Sequence, residues 1–220
     1  MSHKLFVLVA SLLLGAATLC AQVSPYEYHN RWYVSLQGGL CYFNGDCSYV
    51  YRKKGPWTGP FSLSGGAAVG YNIANGHEVR MVAAYGQKHA TCVSFKSDLF
   101  PFTFYSASLF ADYVLGLYPL AENFSSFNPK MYVGVGGAYT YGFTDPHHPF
   151  LVVSGPNWVG GLHTGSILEY DFPSGFGLFA DIGLSFFADP YDGQGWYNFP
   201  VDMEIGLQFG MVYHFKRNRR

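Results

Sequence analysis

Ionisable side chains in this 220-residue chain are few, and most of those able to do chemistry sit inside alternating apolar segments. Arg80, Asp112, Glu169, Asp181, Asp202 and Glu204 lie between apolar neighbours, and the alternation that sends them to the opposite face carries Glu78 and Lys88 with Arg80. Charges packed on one inner face must be paired or hydrated. The expected network is therefore Arg80, Asp112, Glu169, Asp181 and Glu204, with Arg80 pairing Glu169, Asp181 or Asp112. That network reads as a polar plug; a gate or narrow ion path is the competing reading.

Other candidates are weaker. "LHTGS" brings His163 and Ser166 near Glu169, the residue types of a hydrolase or acyltransferase. On a strand, however, positions 163 and 166 have opposite parity and face apart, so no catalytic residue is expected. "DPHHP" carries His147 and His148, which could bind a transition metal, but no second ligand cluster accompanies them in the sequence. Arg52, Lys53 and Lys54 could touch lipopolysaccharide phosphates. No dinucleotide or phosphate-loop fingerprint occurs, so neither cofactor nor metal is expected. Cys41, Cys47 and Cys92 leave room for one disulfide and one thiol, and the pairing stays open.

The elements that must position these groups are strands. Eight alternating segments lie at about 31–43, 61–73, 77–92, 102–118, 130–143, 158–172, 176–189 and 199–215. In "VDMEIGLQFGMVYHF" (201–215) every odd position is apolar, while the even ones include Asp202, Glu204, Gln208 and His214. Elsewhere, too, one face is long and apolar and the other is glycine, serine and occasional acids. A water-coated surface needs roughly 25% charged residues. This chain has 12%, with 19% aromatic, so much of its outside is expected to meet lipid. A net charge of −1 gives no footprint for nucleic acid.

Residues 1–21 read as a signal peptide: His3 and Lys4, the apolar run 5–17, then a cleavage site after Ala21. The run is short for a spanning helix, and Thr18-Leu19 before Cys20 fits a lipidation site poorly. Residues 22–220 read as one outer-membrane β-barrel domain. Long connections (44–60, 93–101, 144–157, 190–198) alternate with the tight turns "ANG" (74–76) and "PSG" (173–175); 119–129 is longer. Short turns at one end and long loops at the other are the layout of a transmembrane barrel. Aromatics collect at both strand ends: Trp32, Tyr71, Tyr118, Tyr132, Tyr170, Phe176 and Phe215 on the turn side, with Tyr42, Phe61, Tyr105, Tyr141, Trp158, Phe186 and Phe199 on the loop side.

With this leader, eight segments, loop asymmetry and last strand "GLQFGMVYHF", the chain resembles small outer-membrane β-barrel proteins of the OmpA/OmpX-like superfamily, in the style common in Bacteroidota. The resemblance covers nearly all of 31–215. It implies an all-β, eight-stranded antiparallel transmembrane β-barrel in the cell outer membrane, with short periplasmic turns and longer extracellular loops. It also implies that Tyr213 and Phe215 form a signal read by the barrel-assembly machinery, although the basic tail "KRNRR" (216–220) departs from a strictly terminal Phe. The expected role is structural or interactive, with outer-membrane lipid, lipopolysaccharide and an unknown extracellular ligand as partners. A narrow porin-like channel is the alternative, and a membrane-embedded lipid-modifying enzyme comes after it.

Overall fold

A computed structural model describes residues 31–44, 61–74, 76–93, 99–117, 127–144, 156–172, 174–188, 191 and 201–215. The leader, the 52–54 basic cluster, Cys47, His147, His148, Tyr118 and Phe199 lie outside the described residues. Every regular element described is a strand: β1 Arg31–Asn44, β2 Phe61–Ala74, β3 His77–Val93, β4 Leu99–Gly116, β5 Phe127–Thr144, β6 Asn157–Asp171, β7 Phe176–Ala188 and β8 Val201–His214.

Neighbours in sequence pair antiparallel, and β8 returns to β1 from Tyr33↔His214 to Asn44↔Met203, closing the barrel. Closure leaves no edge strand, and in hydrocarbon an unpaired edge costs several kcal/mol per backbone group. The strands tighten into hairpins at Gly76 and Gly175, whose φ values of 79° and 93° favour glycine. Gly175 N donates to the Phe172 carbonyl (3.1 Å), closing the second turn.

Two boundaries differ from the sequence expectation, and proline explains both. Pro101 and Pro129 read as breakers, yet each lies inside a strand, opposite Thr91 and Leu168 respectively. Both stand at the margin of the β4–β5 ladder, where Leu117 N still donates to the Pro129 carbonyl (2.9 Å). Pairing of β4 with β5 begins at Thr103, and that of β5 with β4 reaches only Lys130↔Gly116. A missing N–H is tolerated at such a margin. The β3–β4 connection accordingly spans 94–98.

Alternation sorts the side chains without exception for charge: no outward position of a described strand carries Asp, Glu, Lys or Arg. Outward residues include Leu36, Leu63, Met81, Leu109, Val135, Leu162, Ile182 and Phe209, all exposed. Aromatic pairs ring this belt at both ends, Trp32–Tyr71 and Phe176–Tyr213 below, Tyr42–Phe61 and Tyr139–Trp158 above. Tyr132 corrects the girdle assignment. Its even position on β5 turns it into the lumen, where it is 4% exposed.

Candidate functional site

Among the described residues, the lumen is where this chain concentrates polar chemistry, and it is built in three layers. At the turn end, β5 supplies Asn128 and Lys130, β6 supplies Glu169 and Asp171, and β8 supplies His214. Residues two apart on a strand share a face, so each pair points inward together. Lys130 Nζ bridges Glu78 Oε1 (2.8 Å) and Glu169 Oε2 (3.1 Å). His214 Nε2 donates to Glu169 Oε1 (2.9 Å) and lies 3.7 Å from Asp171 Oδ1. Asn128 Nδ2 donates to the other Asp171 oxygen, Oδ2.

The middle layer holds Arg80, whose Nε donates to Asp112 Oδ2 (2.9 Å) and whose second arm reaches Asp181 Oδ2 at 3.5 Å. The guanidinium lies over the Tyr132 ring, 4.3 Å from its centroid, in a cation–π contact. The Tyr132 hydroxyl donates to Asp181 Oδ1 (2.8 Å), and His163 Nδ1 donates to Asp112 Oδ1 (3.1 Å). Glycines make room for this cluster. A Cβ at Gly183 would come within 2.7 Å of the Tyr132 hydroxyl, and one at Gly134 would meet Asp112 Oδ1.

Toward the loop end, Lys88 Nζ pairs with Glu204 Oε1 (2.7 Å) and donates to Cys41 Sγ (3.0 Å). Cys41 is a free buried thiol. The Tyr191 hydroxyl donates to Ser106 Oγ (2.9 Å), and its ring stacks on Phe187 with centroids 4.0 Å apart. Phe43, Phe102 and Phe104 complete an aromatic lid over this end. Between lid and middle layer remains a cavity of about 60 Å³ lined by residues including Lys88, Ser106, Tyr132, His163, Asp181 and Glu204. At about 10–15 Å³ per water, it has room for about 4–6 waters.

The expected charge network is thus resolved into separate groups. Arg80, Asp112 and Asp181 meet as one cluster. Glu169 does not join them: its partners are Lys130 and His214, a correction to the Arg80–Glu169 pairing. The two residues stand at similar distances from their turns, but tilted, staggered strands convert equal distances into different heights. Glu204 belongs to the loop-end group with Lys88. His163 and Ser166 do face apart, His163 into the lumen and Ser166 outward. Sequence reasoning passed over Lys130, hidden behind Pro129, together with Asn128 and Asp171, and it sent His214 inward without joining it to Glu169. The signal for these was available: an inward Glu-x-Asp step on β6, and a histidine on the polar face of β8. Tyr213 and Phe215 stand on the outer face at the turn end, their rings 5.3 Å apart.

Comparison with known proteins finds the same fold. Neisserial surface protein A aligns with 84% of this chain and 97% of its own, at TM-score 0.52 and 13% identity. Outer membrane protein OprG from Pseudomonas aeruginosa aligns with 86% of this chain and 98% of its own, at TM-score 0.51 and 12% identity. A major outer membrane protein from Thermus thermophilus covers 84% and 99%, at TM-score 0.50 and 16% identity. No family model matches the chain, and no curated protein matches it. The fold is that of the small eight-stranded outer-membrane β-barrels.

Proposed function

We propose, from a fold shared with small outer-membrane barrels, that this chain is an integral outer-membrane protein whose closed barrel supports surface loops. The observation that carries this reading is the filled lumen. Among the described residues, ion pairs at two levels, the Arg80 cluster between them and the aromatic lid fill the lumen around the small cavity described above. The uncharged outer belt supports lipid contact, because an arginine or lysine at the bilayer midplane costs about 2–4 kcal/mol in such barrels. Segments 45–60 and 145–156 connect strands at the lid end, and on this reading they meet the extracellular partner.

On this reading, export uses the 1–21 leader, the assembly machinery reads Tyr213 and Phe215, and Arg52, Lys53 and Lys54 meet lipopolysaccharide phosphates. Ser185 stands opposite His163 on the lumen face of β6 and β7, but the imidazole is engaged by Asp112 and Tyr132, and the reading assigns it no catalytic role. Planar-bilayer recording tests the reading directly. The purified protein should give no conductance steps above the bare lipid baseline. Reproducible steps would replace the closed support with a narrow porin-like channel. Lipid A mass spectra should be the same with and without the protein.

A further inference from the structure

The turn-end layer differs from the others in its charge balance. In the middle layer Arg80 meets two aspartates, one of which also holds His163; at the loop end Lys88 meets Glu204. At the turn end, Glu78, Glu169 and Asp171 bring three carboxylates to a single ammonium, Lys130. The His214 imidazole is a further ion-pair partner of Glu169 and Asp171. All five side chains are buried, Asp171 and His214 each at 1% exposure. Buried negative charge in such excess requires a counter-cation or protons.

The oxygens are arranged for the former. Asn128 occupies Asp171 Oδ2 and Lys130 occupies Glu169 Oε2, so the remaining oxygens, Oδ1 and Oε1, are turned toward His214 Nε2. Asp171 Oδ1 has no hydrogen-bond donor among the described residues. The ligand atoms of Glu169, Asp171 and His214 lie within 4.8 Å of one another. The separations from His214 Nε2 are 2.9 and 3.7 Å, on either side of the tetrahedral edge of about 3.3 Å implied by ~2.0–2.1 Å metal bonds. Held outer oxygens that aim inner ones are what an ion site needs around its ligands.

We propose that Glu169, Asp171 and His214 form a divalent-cation site, suited to Zn²⁺, at the turn end of the lumen. The ion takes Glu169 Oε1, Asp171 Oδ1 and His214 Nε2, with water as a fourth ligand. The proton on Nε2 is given up, to Nδ1 of the same ring or to solvent, so that the metal-bound imidazole is neutral. One imidazole with two carboxylates suits Zn²⁺ better than Ca²⁺, which asks for six or more oxygens. The ion would tie β6 to β8 across β7, next to the turn that Gly175 closes.

The test uses the protein purified from membranes without a histidine tag and titrated with ZnCl2. One Zn²⁺ per barrel should bind. Its X-ray absorption spectrum should show a single imidazole nitrogen with oxygen donors at about 2.0 Å. Asp171→Asn and His214→Gln should each weaken binding by at least about tenfold, while His147→Ala/His148→Ala should leave it unchanged. Failure to bind Zn²⁺, a spectrum with two imidazoles or sulfur, or loss of binding only in the loop double variant would overturn the proposal. If the lumen variants do not fold, the wild-type spectrum decides.

Discussion

Arg80→Ala tests the lumen most sharply, because the structure names the carboxylates that depend on this cation. Arg80, Asp112 and Asp181 have side chains 4%, 0% and 4% exposed, so water cannot replace the guanidinium when it is removed. Removing one partner of such a buried pair costs about 3–5 kcal/mol. Part of that cost is the charge left behind on Asp181, so Arg80→Ala/Asp181→Asn should recover some of it, with a coupling energy of about 1–3 kcal/mol. Glu169 shares no ion-pair partner with Arg80, so Arg80→Ala/Glu169→Gln should be additive within about 0.5 kcal/mol. Urea unfolding in lipid vesicles, followed by the fluorescence of Trp32 and Trp158 on the outer face, measures all three. If Glu169→Gln gives the recovery and Asp181→Asn does not, the layer assignment is wrong. A wild-type midpoint for the single variant would mean Arg80 is solvated, and a gain of conductance would make it a gate.

Three further outcomes follow from the same geometry. Leu109→Arg, outward and 51% exposed near the middle of β4, should cost about 2–4 kcal/mol; Ser108→Asn, facing the lumen, should cost less, and the reverse order would invert inside and outside. Gly183→Ala should cost about 1–3 kcal/mol by crowding the Tyr132 hydroxyl. That cost should shrink in a Tyr132→Phe background, and equal costs in both would refute the contact. An epitope inserted at Gly55 should be labelled on intact cells and one at Asn75 should not; surface labelling at Asn75 would reverse the orientation.

Side-chain parity was legible in the sequence because it is a local property: period two along a strand decides which face a residue joins. That is why Arg80, Asp112, Asp181 and Glu204 could be sent inward, and Ser166 parted from His163, with no tertiary information. Strand number and closure followed from the same alternation together with the cost of an open edge in lipid. Height in the lumen is not local. It depends on cross-strand register and on strand tilt, which no single segment encodes, so Glu169 was paired with Arg80 although it sits with Lys130 and His214. Strand ends at Pro101 and Pro129 failed for a related reason. A proline is tolerated at the margin of a ladder, and only the assembled barrel decides where each margin falls. The turn-end trio is the clearest case. Glu169 and Asp171 are two residues apart, but His214 is 43 residues beyond Asp171, and only closure of β6, β7 and β8 into one wall brings all three together.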